Sequence, residues 1–104
     1  MHVILSIDTT SNEIIKAGLT INGEKYFVEQ KLEKQKSQAL LPLIEKILKE
    51  KKIKLQDITE IQVNPGPGSF TGIRVGLTIA NTLAFLLKVP VNGKKVGEVV
   101  EPVY

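Results

Sequence analysis

The chain has 104 residues, 42% of them hydrophobic and 24% charged, with 14 Lys and Arg against 11 Asp and Glu for a formal charge of +3. This size supports one compact core and excludes a two-lobed enzyme with a cleft between its lobes; the composition is that of a soluble globular protein. The absence of cysteine and a lone histidine, His2, exclude a disulfide framework, thiolate metal sites and the paired imidazoles that most transition-metal centres use.

Lys, Asp, Thr or Asn interrupts every apolar stretch well short of the ~20 residues that span a bilayer, so no membrane segment is expected. The first eight residues carry no basic region ahead of their apolar run, and Asp8 follows it at once, so they read as a buried strand and not as a signal. The expected protein is cytoplasmic and metal-free.

Residues 3–7 are a short β-branched run that ends in Asp8, Thr9, Thr10, Ser11 and Asn12, which predicts a buried strand followed by a turn. Residues 14–21 and 25–30 flank Asn22 and Gly23, a strong hairpin signal, and complete a three-strand antiparallel meander. After the polar stretch 33–38, apolar residues recur at Leu40, Leu41, Ile44, Ile47 and Leu48, the pattern of an amphipathic helix. Pro42 falls near its start, where a missing amide proton costs least, or bends the helix if it begins earlier. Lys46, Lys49, Lys51, Lys52 and Lys54 gather at its end, where cations complement the helix dipole, so a solvated lysine-rich end accounts for them without a nucleic-acid partner. Residues 57–63 predict a fourth strand parallel to the first, and residues 69–87 a second helix ended by Val89 and Pro90. Together these elements predict an α/β layer structure.

On the second helix Gly72, Gly76, Ala80 and Ala84 recur every fourth residue and form one stripe of small side chains. Glycine in a helix costs up to ~1 kcal/mol relative to alanine, so two in succession imply a compensating close approach. The neighbour is either this chain's own sheet or first helix, or a helix of a second chain, while Leu77, Leu83 and Leu87 face a different direction. Before this helix lies a glycine-rich turn. No lysine follows Gly66, Gly68 or Gly72 in the register of a Walker loop, and Thr71 stands where a dinucleotide fingerprint needs its third glycine. What remains is a rigid Pro65 and Pro67 turn with Ser69 or Thr71 placed to cap the helix; its free amides are able to hold an anion, but capping alone also explains both residues.

Asn64, Pro65, Gly66, Pro67, Gly68, Ser69, Phe70, Thr71, Gly72, Ile73 and Arg74, in that order, resemble the signature of the TsaB (YeaZ) family and its paralogue TsaD. Ile7, Asp8, Thr9 and Thr10 resemble the family's opening strand and turn, Ser37, Gln38, Leu40, Leu41, Pro42, Leu43 and Ile44 its first-helix motif, and Ala80, Leu83, Ala84, Val89, Pro90 and Val91 the end of its second helix. The resemblance implies an actin- and Hsp70-like (ribonuclease-H-like) lobe: a mixed five-stranded sheet with an antiparallel meander and two main helices. It implies a non-catalytic subunit that supports a TsaD-type threonylcarbamoyltransferase acting on tRNA adenosine 37. That enzyme is met through the two lobe helices, the same faces allow a homodimer, a TsaE-type ATPase is reached through the complex, and tRNA is contacted only indirectly.

Two departures from the family pattern matter. TsaD carries a histidine pair on its first helix where this chain has Lys36, Ser37, Gln38, Ala39 and Leu40, which excludes a TsaD-like metal site. TsaB proteins are roughly twice this length and have a second lobe. Here Val91 leads within a few residues to Glu101, Pro102, Val103 and Tyr104, which resemble the family's C-terminal tail, so a lobe over 1–91 is expected to be joined by a turn at 92–95 to a tail strand within 96–104. A truncated chain with a coincidental ending reads the same way.

The resemblance tips the small-residue stripe toward a partner, giving a partner-binding set of Leu41, Ile44, Leu48, Gly72, Ile73, Gly76, Ala80, Leu83 and Ala84. Asp8, Thr9 and Thr10 stand where the family has a phosphate loop, here vestigial because half of the cleft is missing. Ser69, Thr71 and Arg74 are candidate anion or partner contacts, with a surface acid as the other mate for Arg74. No catalytic residue, cofactor or metal is assigned. The alternatives are a stand-alone nucleotide-binding domain using Asp8 and the 66–71 loop, and a peptidase acting on TsaD, for which Ser69 is the one obvious nucleophile and lacks a histidine base.

Overall fold

The computed structural model describes residues 1–31 and 36–103. The start of the polar stretch 33–38, and Tyr104 in the expected tail strand, lie outside the described residues. The elements run β1 (Val3–Asp8), β2 (Ile14–Ile21), β3 (Glu24–Lys31), α1 (Lys36–Glu50), a short 3-10 turn (Leu55–Asp57), β4 (Glu60–Val63) and α2 (Phe70–Leu87).

Asn22 and Gly23 both adopt positive φ, 48° and 89°, as a two-residue hairpin requires, and Ile21 pairs directly with Glu24. The sheet order is β3-β2-β1-β4, antiparallel at the first two junctions and parallel between β1 and β4. Because side chains alternate along a strand, this register places Leu5 beside Leu19 and Ile61, and Ile7 beside Ala17 and Val63, on one face. All six are buried there under both helices, α1 lying over β2 and β3 and α2 over β1 and β4. The other face of the sheet has no helix on it among the described residues.

In α1 the buried residues are Ala39, Leu40, Leu43, Ile44, Ile47 and Leu48, whereas Leu41 is exposed. The helix begins at Lys36, so Pro42 lies inside it; both Pro42 and Gln38, whose carbonyl loses its helical donor, face solvent. By length and composition α2 is long and apolar enough to cross a membrane, with 18 residues of mean hydropathy 1.5, although Arg74 and several polar residues break its run as expected. Thr78, Asn81 and Thr82 interrupt the run without lowering its hydropathy enough, and the helix uses its apolar stripe as a core element.

Among the described residues four strands form where five were expected. Val91 makes a single parallel bridge to Ile61, after which Asn92 and Gly93 turn away with φ of 51° and 73°. The Asn92 side chain then takes the place of a further strand residue, its Oδ1 accepting from the Val63 N–H at 2.8 Å and its Nδ2 donating to the Val63 carbonyl at 2.9 Å. No strand forms among residues 96–103, where the tail strand was expected.

Candidate functional site

The turn after β1 and the start of α2 are one interlocked structure. Asp8 ends β1, and its Oδ1 accepts from the Thr10 N–H at 3.0 Å and the Thr10 hydroxyl at 2.7 Å, while its Oδ2 accepts from Asn64 Nδ2 at 3.2 Å. Partial burial pushes this carboxyl up, but the Thr10 and Asn64 hydrogen bonds, together with the charge of Lys16, outweigh it and hold Asp8 below its ordinary range. Asn64 Oδ1 also accepts from the Gly66 N–H at 3.1 Å, so one asparagine ties the end of β1 to the glycine-rich turn.

The Thr10 carbonyl accepts the Ser69 N–H at 2.7 Å, and a Cβ on Gly68 would stand 2.5 Å from that same oxygen. Glycine is therefore required at 68 by the close approach of two backbones. Ser69 caps α2, its hydroxyl accepting from the Gly72 N–H at 3.3 Å, as the capping reading predicts. Two amides that an anion would use are thereby engaged within the chain. Thr9 is fully buried and points at α2, donating from its hydroxyl to the Gly72 carbonyl at 2.5 Å. Of the expected phosphate-loop residues, Thr9 thus faces the helix and Asp8 and Thr10 hold each other. Thr71 and Arg74 are exposed, and Arg74 makes no ion pair with any acid among the described residues.

On the open sheet face, Asp8, Asn64, Ser6, Gln62, Lys16 and Phe27 border a depression of about 760 Å³ at the carboxyl ends of β1 and β4. Phe27 lies across from Gly18, where a Cβ would meet the ring at 2.5 Å, so the aromatic covers the glycine of β2. Lys16 and Glu29 form an ion pair of 3.3 Å at its rim. Among the described residues, no three His, Asp or Glu side chains come together as a metal-ligand set.

Residues 24–94 match the family model described as TsaD, tRNA N6-adenosine threonylcarbamoyltransferase. A protein from Buchnera aphidicola subsp. Schizaphis graminum, named tRNA threonylcarbamoyladenosine biosynthesis protein TsaB, is 36% identical over 93 residues, 88% of this chain and 43% of its own. Its namesake from Bacillus subtilis is 34% identical over 92 residues, 86% of this chain and 39% of its own. A solved structure, YeaZ from Pseudomonas aeruginosa, superposes with a TM-score of 0.82 at 29% identity, over 91% of this chain and 44% of that one. This chain belongs to the TsaB (YeaZ) family. It spans less than half the length of the relatives it matches.

Within this TsaB-family chain, the expected partner-binding set divides. Gly72, Ile73, Gly76, Ala80 and Ala84 are buried in the chain's own core, as are Ile44 and Leu48 of α1. The small-residue stripe is filled from within: a Cβ on Gly76 would collide with Thr9 Oγ1. Within the single chain, the stripe therefore packs against the chain's own core. Leu41 is 45% exposed and Leu83 partly so, and these two remain accessible. Sequence reasoning missed the apolar residues on the outer side of α2, where Phe85 and Leu86 are 75% and 67% exposed and Phe70 is also exposed. Their signal was available, since Arg74, Thr78, Thr82 and Phe85 follow at helical spacing on the side away from the stripe.

Proposed function

We propose that this chain is a non-catalytic partner of a TsaD-type enzyme in threonylcarbamoyl modification of tRNA adenosine in the cytoplasm. Membership of the TsaB family names the process. The observation that supports a binding role is the outer surface of the helices, where α2 leaves the adjacent Phe85 and Leu86 largely bare and α1 leaves Leu41 bare. Adjacent large apolar side chains in water are a solubility burden, and a partner surface that covers them accounts for their presence. In this reading the enzyme is met through the outer faces of α1 and α2, the same faces support self-association when it is absent, and a TsaE-type ATPase and tRNA are reached through it. We read the sheet and its two helices as the first lobe of an actin- and Hsp70-like fold.

A non-catalytic role is supported by how Asp8 and Thr9 are used. Their side chains secure the turn and the start of α2, and Thr9 has no exposed surface to offer a phosphate. Co-expression with a TsaD-type enzyme, size exclusion and nucleoside mass spectrometry of tRNA test the reading. We expect co-elution with wild type, and its loss for Phe85→Asp combined with Leu86→Asp while the chain stays folded. No complex with wild type would remove the function; co-elution of the double variant would remove the surface. Thermal stabilisation by ATP and magnesium would instead favour a nucleotide-binding domain.

A further inference from the structure

The segment that follows Gly97 has a seat of its own. Asn81, in the middle of α2, donates from Nδ2 to the Val100 carbonyl at 3.0 Å and accepts the Val100 N–H on Oδ1 at 3.0 Å. One side chain thus supplies the two-bond exchange that a residue of an adjacent strand would make. Three residues on, the Val103 N–H donates to the Pro65 carbonyl at 2.8 Å. The Val103 carbonyl lies in the space that a Cβ on Gly66 would fill, and Gly66 has a φ of 118°. Val100 is 6% exposed and joins the core, whereas Val99 and Val103 stay largely in solvent. The seat therefore grips main chain at two points and takes in one apolar side chain. Before it, residues 92–99 are exposed, and nothing stands against Gly93 or Gly97 where a side chain would be.

We propose that Asn81, Pro65 and Gly66 form a receptor for an extended peptide with one buried apolar side chain, occupied in cis by residues 99–103 as a detachable latch over the glycine-rich turn. Main-chain pairing supplies affinity with little demand on sequence, as in strand addition to a sheet edge, and the Val100 pocket supplies the specificity.

The test uses the full chain with a recognition sequence for a specific protease inserted at the exposed Gly97. After cleavage, native mass spectrometry is expected to find the downstream piece still bound. Asn81→Ala is expected to release it at least about tenfold more readily, the equivalent of two neutral hydrogen bonds. Asn81→Asp retains an acceptor for the Val100 N–H but presents no donor to its carbonyl, and is expected to release it as well. Alanine favours helix, so circular dichroism of uncleaved Asn81→Ala should match wild type. In the unmodified chain, the Val100 and Val103 amides should exchange hydrogen more slowly than those of Val96 and Val99. Prompt release from the wild-type seat, equal retention by Asn81→Ala, or unprotected Val100 and Val103 amides would each overturn the proposal.

Discussion

The two sides of α2 carry different kinds of side chain and do different work. Inward lie Gly72, Gly76, Ala80 and Ala84, buried at the usual four-residue spacing, with Thr9 set against Gly76. Outward lie Arg74, Thr78, Thr82, Phe85 and Leu86, all exposed. A stripe of small residues records that another backbone comes close, but not which one. Here the first half of the stripe meets Thr9 of the chain's own turn after β1, set against Gly76 and bonded to the Gly72 carbonyl, so part of what looked like a partner surface and part of what looked like a phosphate loop account for each other.

The sharpest way to break this contrast is to add bulk on the inward side. Gly76→Val would drive two methyl groups toward Thr9 and is expected to cost about 3 kcal/mol or more, as overpacking of a tight interior does. Thermal denaturation checks it, and a folded protein of wild-type stability would mean that the stripe faces solvent or a second chain. Gly76→Ala is milder and allows a finer question. Its Cβ meets Thr9 Oγ1, so Thr9→Ala should recover part of the loss, and strict additivity of the two would deny the contact.

Thr9→Val, next in size, keeps the shape and removes the hydroxyl that donates to the Gly72 carbonyl. A buried hydrogen bond lost in this way costs about 1–3 kcal/mol, read from urea denaturation. If Thr9 served a ligand and not the fold, stability would hardly move.

Asp8 works at the same junction but half in solvent, and its effect depends on pH. Its folded carboxyl titrates below the unfolded value of about 3.9, so its stabilisation is fully present above that value and is lost as pH falls through the lowered folded one. Asp8→Asn should therefore reduce stability at pH 7 by about 1 kcal/mol and flatten the acid limb below about pH 4. Parallel acid limbs for variant and wild type would show that Asp8 is not the group responsible.

Much of this was legible in the sequence because local chemistry dictated it. Asn22 and Gly23 required the hairpin, the β-branched run 3–7 marked β1 as a buried strand, and of the two cap candidates Ser69 and Thr71 it is Ser69 that caps α2. What could not be read was pairing between distant segments. The fifth strand ends at one bridge because the Asn92 amide takes up Val63, and the tail is held by the amide of Asn81; neither asparagine carries a local signal of a long-range partner. Likewise Asn64 reads as a turn residue until β1 and β4 lie side by side and bring it to Asp8. Placing the stripe needed knowledge of which face of the helix met the sheet, a tertiary choice that periodicity leaves open.

The smallest expected effect on stability falls on the outward side, where it is most informative for function. Phe85 and Leu86 bury little in the chain, so replacing both with Asp should leave stability within roughly 0.5 kcal/mol per site. The charge lies in the last turn of α2, where the helix dipole disfavours an acid, so a small loss is expected in place of a gain. Phe85→Lys with Leu86→Lys reverses that dipole term while removing the same apolar surface. If the outward side is where a TsaD-type enzyme binds, both pairs should abolish association alike despite their opposite charge, because what they share is the loss of apolar contact. If only one sign abolishes it, binding there is electrostatic and the apolar surface is incidental.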